Sequence, residues 1–179
     1  ADELLGRLLG GDISLVTHVG NTTWSVSMEQ RKFEMMLVNL SVAARAAMPH
    51  GGRIVIESST ASITEPLVGH GPRVEPGEYV TISVVDSGTA SIEALTESNA
   101  TIDDALAGLS LCDSIVQIAG GFIWTYHEAG RGNCRRIFLP RYRDTGAVAE
   151  KTATLALRAM LCLRLGDPDD QNAGRLSGK

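Results

Sequence analysis

The sequence predicts an α/β fold: a two-layer α/β sandwich with a mixed, mostly antiparallel sheet and helices on one face. Two observations support this prediction. Segments with helical periodicity and segments with strand-like patterns follow one another in the order helix, hairpin, lid-like segment, helix, hairpin. The strand segments also come in neighbouring pairs joined by turns, which is typical of antiparallel pairing.

The first long helix is predicted over residues 27–48. Ser27 is a suitable N-cap with Gln30 as its capping-box partner, and Pro49 with the glycines after it ends the helix. Apolar residues recur at three- and four-residue spacing, so they form one stripe that the helix can bury. The stripe consists of Phe33, Met36, Leu37, Leu40, Ala44, Ala47 and Met48.

Five segments are predicted as strands because they alternate apolar and polar residues or are rich in β-branched residues. They are residues 13–18, 53–59, 79–85, 122–126 and 133–139. Residues 64–77 contain Pro and Gly and are expected to form an exposed hairpin loop, and residues 128–132 turn the final hairpin. Pro140 is expected to close the last strand and the domain.

A second helix is predicted after a polar, lid-like segment that covers residues 89–103. Asp103 or Asp104 can cap this helix, and Gly120-Gly121 ends it. Its apolar stripe consists of Leu106, Leu109, Cys112, Ile115, Val116 and Ala119.

The chain is expected to divide into a main domain, residues 1–140, and a C-terminal segment, residues 141–179. Leucines and alanines within residues 155–165 could form one amphipathic helix, packed on the domain or on a second chain in a homodimer. Beyond Gly166 the polar, Asp- and Pro-containing sequence is expected to form a disordered tail.

Composition and charge argue against several classes of function. The 179 residues carry a formal net charge of -5, so no nucleic-acid-binding surface is expected. The three cysteines are far apart and no histidine lies at ligand spacing, which favours simple thiols in a reducing cytoplasm. No apolar run approaches the ~20 residues that span a bilayer, so we expect a cytoplasmic location without membrane contact.

Four segments in the same order resemble the catalytic and ATP-binding domain of bacterial sensor histidine kinases, in the GHKL ATPase superfamily, over about residues 3–140. NLSVAARA, beginning at Asn39, is similar to the N box. VVDSG, ending at Gly88, is similar to the first glycine box, and AGLSL, beginning at Ala107, lies where the later glycine box should open a helix. The segment from GGFIW to IFLP matches the final hairpin, and the ordered set is more specific than any single segment.

The base side of the implied nucleotide site is complete. By the resemblance, Asp86 at a strand end would accept the adenine amino proton, and Gly88 would let the purine approach the backbone. Asn133 stands where the family usually has Thr and keeps a hydrogen-bonding side chain. An Asp-Ser-Gly turn alone is more often only a strand cap, so the surrounding pattern is what favours nucleotide binding.

The triphosphate side departs from the family pattern. Binding of ATP and Mg requires side-chain oxygens from the N box and backbone amides at a glycine-rich helix start. Asn39 supplies one candidate metal- and cofactor-binding oxygen, but Ala43 occupies the position of the main magnesium-chelating Asn and Ala46 that of a charged residue. Glu34 matches a family acidic position that organises metal or water and is the candidate catalytic residue. A helical Glu is equally often only solvated surface.

The glycine boxes are also reduced. Gly108 and Leu109 remain as candidate cofactor-binding residues, whereas Leu106 replaces the first Gly of the later box and Ala90 replaces the second Gly of the first box. The aromatic-rich lid motif is absent. Each missing charge-assisted hydrogen bond would be worth about 1.5 to 3 kcal/mol, so weak or absent binding of Mg-ATP is expected.

The resemblance implies the ATP-binding domain of a two-component sensor kinase, which transfers a phosphoryl group from ATP to a His on a separate helical hairpin and works with a response regulator. None of the four histidines lies on a predicted exposed helix face with an acidic neighbour, so the acceptor is expected elsewhere. The missing site residues leave enzymatic activity open. The alternative is a catalytically inactive scaffold that binds a kinase hairpin or a response regulator; a GHKL kinase acting on serine has no specific residue in its favour.

Overall fold

The computed structural model describes residues 9–20, 24–89, 100–128, 132–143 and 154–156. The helices whose bounds lie within the described residues are α1 (Gln30–Ala46) and α2 (Ala100–Ile118). The strands are β1 (Ile13–Val19), β2 (Ser25–Ser27), β3 (Gly52–Ile63), β4 (Gly77–Asp86), β5 (Phe122–Glu128), β6 (Gly132–Tyr142) and β7 (Thr154–Ala156).

The strands form one seven-stranded sheet in the order β1-β3-β4-β6-β2-β7, with β5 paired to β6. β1 and β3 are parallel, and the other strand pairs of the described residues are antiparallel. The prediction of a mixed, mostly antiparallel sheet is therefore confirmed. All five predicted strands are present, and β3 continues beyond its predicted end to Ile63.

One hydrophobic core joins both helices to a single face of the sheet. Strand alternation directs every second residue of β3, β4 and β6 towards the helices. The buried residues of this core include Phe33, Met36 and Leu40 of α1, Ile54, Ile56, Val80, Ile82, Ile137 and Leu139 of the sheet, and Cys112, Ile115 and Val116 of α2. This arrangement confirms the two-layer sandwich with helices on one face.

The N-terminal end of α1 differs from the prediction. Ser27 belongs to β2, whose register pairs Val26 with Arg141 of β6, so Ser27 is not a helix cap. α1 begins at Gln30 after Glu29, which has extended backbone and makes no side-chain cap hydrogen bond. The predicted N-cap is wrong because strand pairing with a distant part of the chain determines the conformation of residues 25–27.

α2 begins earlier than the capping aspartates predict. Its first residue is Ala100, and Ile102 and Ala105 are buried, so the apolar face of the helix extends further towards its N-terminus. Burial of these two side chains explains why the helix continues upstream of Asp103. Most of the predicted lid, residues 90–99, lies outside the described residues.

The C-terminal end of α2 is as predicted. Gly120 has a φ of 71°, in the left-handed region that favours glycine. The Gly120 and Gly121 N–H groups donate to the carbonyls of Gln117 and Val116, both at 2.9 Å. These two bonds define a Schellman motif, which ends the helix and leads the chain into β5.

The C-terminal part of the chain corrects two expectations. β6 continues through Pro140 to Tyr142 and pairs there with β2, so Pro140 does not close the last strand. Residues 154–156 form β7 on β2, where an amphipathic helix was expected, because the edge of β2 offers backbone hydrogen-bond partners. Residues 157–179 lie outside the described part of the chain, and the division of the chain at residue 140 stays a prediction.

The connection between β3 and β4 is largely exposed, as predicted, and it folds back against β5. Trp124 Nε1 donates to the Pro72 carbonyl at 2.7 Å. The Thr125 N–H donates to the His70 carbonyl at 3.3 Å. Three buried residues anchor the connection in a small apolar cluster on the sheet face away from the helices: Val74, Tyr79 and Phe138.

Candidate functional site

Asp86 is the buried carboxylate at the centre of the predicted base side. It ends β4, opposite Asn133 of β6, and only 2% of its surface is exposed. Its Oδ1 accepts a hydrogen bond from the Gly88 N–H at 2.9 Å and another from Asn133 Nδ2 at 2.7 Å. The structure therefore brings together Asp86, Gly88 and Asn133, three of the predicted site residues.

Gly88 lies where no larger residue fits. A Cβ at this position would be 2.8 Å from the Ala47 carbonyl oxygen and 2.8 Å from Asp86 Oδ1. A Cβ at Gly132, whose φ is 98°, would come closer still to the backbone carbonyl oxygen of Asp86. Gly88 thus lets the backbone approach the Asp86 carboxylate closely, and Gly132 lets β6 approach the Asp86 backbone.

Arg135 is a component of the site that sequence reasoning missed. Its Nη1 lies 3.8 Å from Asp86 Oδ2, and the two side chains are 3% and 1% exposed. Oδ2 accepts no hydrogen bond from the described residues. Burial raises the pKa of Asp86, and this outweighs the lowering by Asn133, Gly88 and Arg135.

The position of Arg135 can be read from the alternation of its strand. Residues 133, 135, 137 and 139 share one face of β6, and Ile137 and Leu139 are core residues. An arginine in that series must be buried beside Val84, its partner on β4. Because a charge at such a position needs a counterion, the nearby Asp86 is the expected partner.

His127 extends the base-side network to the surface. Its Nδ1 lies 3.0 Å from Asn133 Oδ1. Since Asn133 Nδ2 donates to Asp86, its Oδ1 is the acceptor, and His127 donates through Nδ1. The chain of hydrogen bonds from exposed His127 to buried Asp86 fixes the orientation of the Asn133 amide.

On the triphosphate side, α2 packs directly against the N-box residue Asn39. A Cβ at Gly108 would be 2.9 Å from Asn39 Oδ1 and 3.2 Å from its Cγ. The predicted pair of Asn39 and Gly108 is thus brought together, but as a close helix–helix contact. The Asn39 amide faces the α2 backbone at the place where a metal ligand was predicted.

Ala43 lies one turn further along α1, and its surroundings are apolar. It is fully buried in a cluster with Ile102 and Ala105 of α2. Partly buried side chains complete this cluster: Val42, Ala46, Leu106 and Leu109. The space where a second amide oxygen would hold magnesium is filled by carbon atoms, and the predicted cofactor-binding Leu109 is part of that packing.

Glu34, the predicted catalytic residue, accepts a hydrogen bond from its own helix. Its Oε1 accepts a hydrogen bond from Gln30 Nε2 at 2.8 Å, one turn earlier on the exposed surface of α1. Asn39 is five residues further, about 7.5 Å along the helix axis. Within the residues that the structure describes, no group of three or more His, Cys, Asp or Glu side chains could hold a metal ion.

Among the described residues, the hydrogen-bonded polar groups of the candidate site lie around Asp86, whereas apolar side chains surround Ala43. Asp86 Oδ2 is a buried acceptor that receives no hydrogen bond from the described residues, and Gly88 places no side chain beside this carboxylate. The side chains packed around Ala43 between α1 and α2 are apolar and carry no oxygen that could bind a metal ion.

The known proteins whose sequences resemble this chain are sensor kinases. No protein-family model matches the chain. The sequence is 32% identical over 194 residues to the sensor kinase CckA of Brucella abortus (strain 2308), covering 98% of this chain. This domain is a GHKL-type histidine kinase catalytic domain. The sequence is also 26% identical over 159 residues to the adaptive-response sensory kinase SasA of Synechococcus sp. (strain CC9311), covering 83% of this chain. The chain spans 20% of the CckA relative and 38% of the SasA relative.

Solved structures share the fold of this histidine kinase catalytic domain. The mycobacterial sensor histidine kinase MprB matches with a TM-score of 0.54 at 18% identity, over 78% of this chain and 90% of that one. The catalytic domain of histidine kinase ThkA matches with a TM-score of 0.52 at 22% identity, over 78% and 85%. Full-length ShkA in complex with AMPPNP matches with a TM-score of 0.53 at 20% identity, over 88% and 30%. None of the helices in the described residues has the length and hydrophobicity needed to cross a membrane.

Proposed function

We propose that this histidine kinase catalytic domain is a catalytically silent module of a two-component signalling protein. It retains the base side of the nucleotide site and does not hold Mg-ATP for phosphoryl transfer. The observation that carries the proposal is the complete burial of Ala43 against Ile102 and Ala105. Magnesium requires oxygen ligands at about 2.0–2.1 Å, and these packed side chains carry only carbon.

Opening this contact for a triphosphate has an energetic cost. Exposing the Ile102 side chain alone would cost about 1.5 to 3 kcal/mol, which lowers affinity by roughly tenfold to 100-fold. The N box contributes Asn39 as its one amide and no acidic ligand that could offset this cost. The missing metal ligands and the packed α1–α2 contact therefore both lower the affinity for Mg-ATP.

The proposed role is that of a scaffold in a phosphorelay. Its partners would be a phosphoacceptor helical hairpin and a response regulator, and homodimers would follow the general organisation of sensor kinases. The similarity to CckA and SasA supports this class of partner. A cytoplasmic location belongs to the same proposal.

Isothermal titration of the 179-residue chain tests the nucleotide part. Adenosine, ADP and Mg-ATP should bind with affinities within about threefold of one another, because the phosphates and the metal find no ligands. Asp86→Asn is the matched variant, since it removes only the carboxylate. Adenosine heat that is lost in Asp86→Asn supports a retained base side, and absence of heat with either protein overturns it.

An active kinase domain of reduced affinity is the second candidate. The intact series Asp86, Gly88 and Asn133 favours it, and the structurally similar ShkA was solved in complex with AMPPNP. Mg-ATP binding at least about 100-fold tighter than adenosine binding, abolished by EDTA, would replace the silent module with this candidate. Transfer of labelled γ-phosphate to the isolated CckA hairpin would do the same, whereas stable hairpin binding without transfer supports the scaffold.

A further inference from the structure

The sheet face opposite the helices carries a cavity of about 600 Å³. β1, β3, β4, β5 and β6 contribute its floor, and Leu67 of the β3–β4 connection contributes to its wall. This cavity is separate from the nucleotide-type site, because the core and both helices lie on the other face of the sheet. All of its lining residues belong to the described part of the chain.

A row of side chains crosses the cavity from strand to strand. Register pairs His18 with Glu57, Glu57 with Ser83, Ser83 with Arg136, and Arg136 with Trp124. Neighbouring strands are about 4.8 Å apart, so directly paired residues project side by side from the same face. An acidic and a basic side chain therefore lie on the same face with one hydroxyl residue between them.

The Arg136 guanidinium group extends over Ser83 of β4, the middle residue of this row. Its Nε donates to Ser83 Oγ at 3.1 Å. Ser83 is the direct neighbour of Glu57, so this bond brings the guanidinium towards the carboxylate. Yet among the described residues neither Arg136 nor Glu57 takes part in an ion pair, so two opposite charges face one cavity without neutralising each other.

Three hydroxyl groups along β3 and β4, those of Ser59, Thr81 and Ser83, have hydrogen-bond partners within the protein. Ser59 Oγ and Thr81 Oγ1 are 2.7 Å apart and bond to each other. Ser83 Oγ accepts the bond from Arg136. The charged groups left to contact a ligand are thus the outer guanidinium nitrogens of Arg136 and the carboxylate of Glu57, with the His18 imidazole beside Glu57 at the edge of the cavity.

The other end of the cavity is apolar. Its lining includes Ile63, Leu67 and Phe138 together with the ring of Trp124. The Trp124 indole N–H is used by the Pro72 carbonyl, at 2.7 Å, which fixes the ring against the β3–β4 connection. A ligand that reaches this end would meet carbon surface.

We propose that this cavity binds a free α-amino acid with an apolar side chain. The carboxylate would take paired hydrogen bonds from Arg136, the ammonium group would bind Glu57, and the side chain would lie between Trp124 and Leu67. A purely anionic ligand would be repelled by Glu57 and a purely cationic one by Arg136. A zwitterion whose two charges are on adjacent carbon atoms satisfies both at once.

Titration calorimetry with L-leucine tests the proposal, with three chemical controls. N-acetyl-L-leucine lacks the positive charge, L-leucinamide lacks the negative charge, and glycine lacks the apolar side chain. L-leucine should bind saturably at one site, and each control should bind at least about tenfold more weakly. Tight binding of either single-charge compound would indicate a peptide terminus and would overturn the proposal.

Variants of the two charged residues of the row, Glu57 and Arg136, complete the test. Glu57→Gln and Arg136→Gln should each lower the affinity for L-leucine at least about tenfold. Arg53→Gln is the matched control, because it removes a positive charge from another exposed position of β3 and should leave binding unchanged. Circular dichroism verifies that each variant is folded. Absence of saturable heat at about 5 mM L-leucine, or unchanged affinity in both row variants, would overturn the site.

Discussion

The two halves of the nucleotide-type site differ in the polarity of their side chains. On the base side, buried polar groups contact one another: Asp86 Oδ1 accepts hydrogen bonds from Gly88 and Asn133, and Arg135 lies 3.8 Å from Oδ2. On the triphosphate side, polar groups have been replaced, and Ala43 is packed among apolar side chains of α2. One half is a buried hydrogen-bonded network, and the other is an extension of the hydrophobic core.

This difference shows two ways in which a binding site can be stabilised without its ligand. A buried carboxylate is costly without partners, so it is kept together with its donors or lost with them. An alanine can instead join the core without cost, and neighbouring residues then close the cleft around it. The base side therefore keeps buried polar groups, whereas at Ala43 the triphosphate side has become part of the hydrophobic packing.

Removing the carboxylate from the base side should have the largest effect. Asp86→Ala leaves the Gly88 N–H and Asn133 Nδ2 without their acceptor and Arg135 without its buried counterion. We expect a loss of about 3 to 5 kcal/mol in the free energy of unfolding, measured by urea denaturation.

Two further variants sharpen this result. Asp104→Ala, at an exposed position of α2, should change stability by no more than about 0.5 kcal/mol. The double variant Asp86→Ala with Arg135→Leu should recover part of the loss, because no buried charge remains. A loss below about 1 kcal/mol in Asp86→Ala would mean that the network contributes little to folding.

Restoring the family's asparagine on the triphosphate side should destabilise the chain instead of restoring metal binding. Ala43→Asn places an amide in a fully buried, apolar contact with Ile102 and Ala105. Overpacking and an unsatisfied amide together should cost about 2 to 4 kcal/mol. Ala107→Asn, at an exposed position of α2, controls for helix propensity and should cost about 0.6 kcal/mol. Unchanged stability with newly gained Mg-dependent ATP binding would contradict the closed cleft.

The sequence could predict the fold because its elements carry local signals. The apolar stripe of α1, the glycines after α2 and the alternation in β6 each specify their element without reference to the rest of the chain. β2 and β7 could not be predicted in this way, since each has three residues and forms only through pairing with distant residues. The false N-cap at Ser27 has the same cause.

The candidate site could be predicted only at positions where the residue type itself indicates a chemical role. Asp86, Gly88 and Asn133 were recognisable by type and order, and the structure brings them together. Alanine and leucine side chains carry no functional group that identifies a site. The sequence therefore indicated a missing ligand at Ala43, but not that Ile102 packs against this position. Arg135 could have been recognised, because it interrupts an otherwise apolar alternating series.

The pH dependence of stability shows which influence on Asp86 is stronger. Arg135 favours the ionised carboxylate, whereas burial favours the protonated one. Burial raises the pKa of Asp86 above its ordinary value of 3.8, so the folded state binds a proton at Asp86 more tightly than the unfolded state. Stability contributed by Asp86 should therefore be greatest at low pH and should fall as the pH rises from about 3.8 through the raised pKa.

Asp86→Asn isolates this effect, because its side-chain oxygen can still accept the bonds from Gly88 and Asn133. Other titrating groups, such as Asp113, whose pKa is also raised by burial, are present in both proteins and largely cancel. The stability of the wild type relative to Asp86→Asn should fall by at most about 1.4 kcal/mol per pH unit, measured by urea denaturation between about pH 3 and pH 7. A relative stability that instead rises with pH would show that Arg135 dominates, and the base side would then be a closed ion pair unable to accept a ligand.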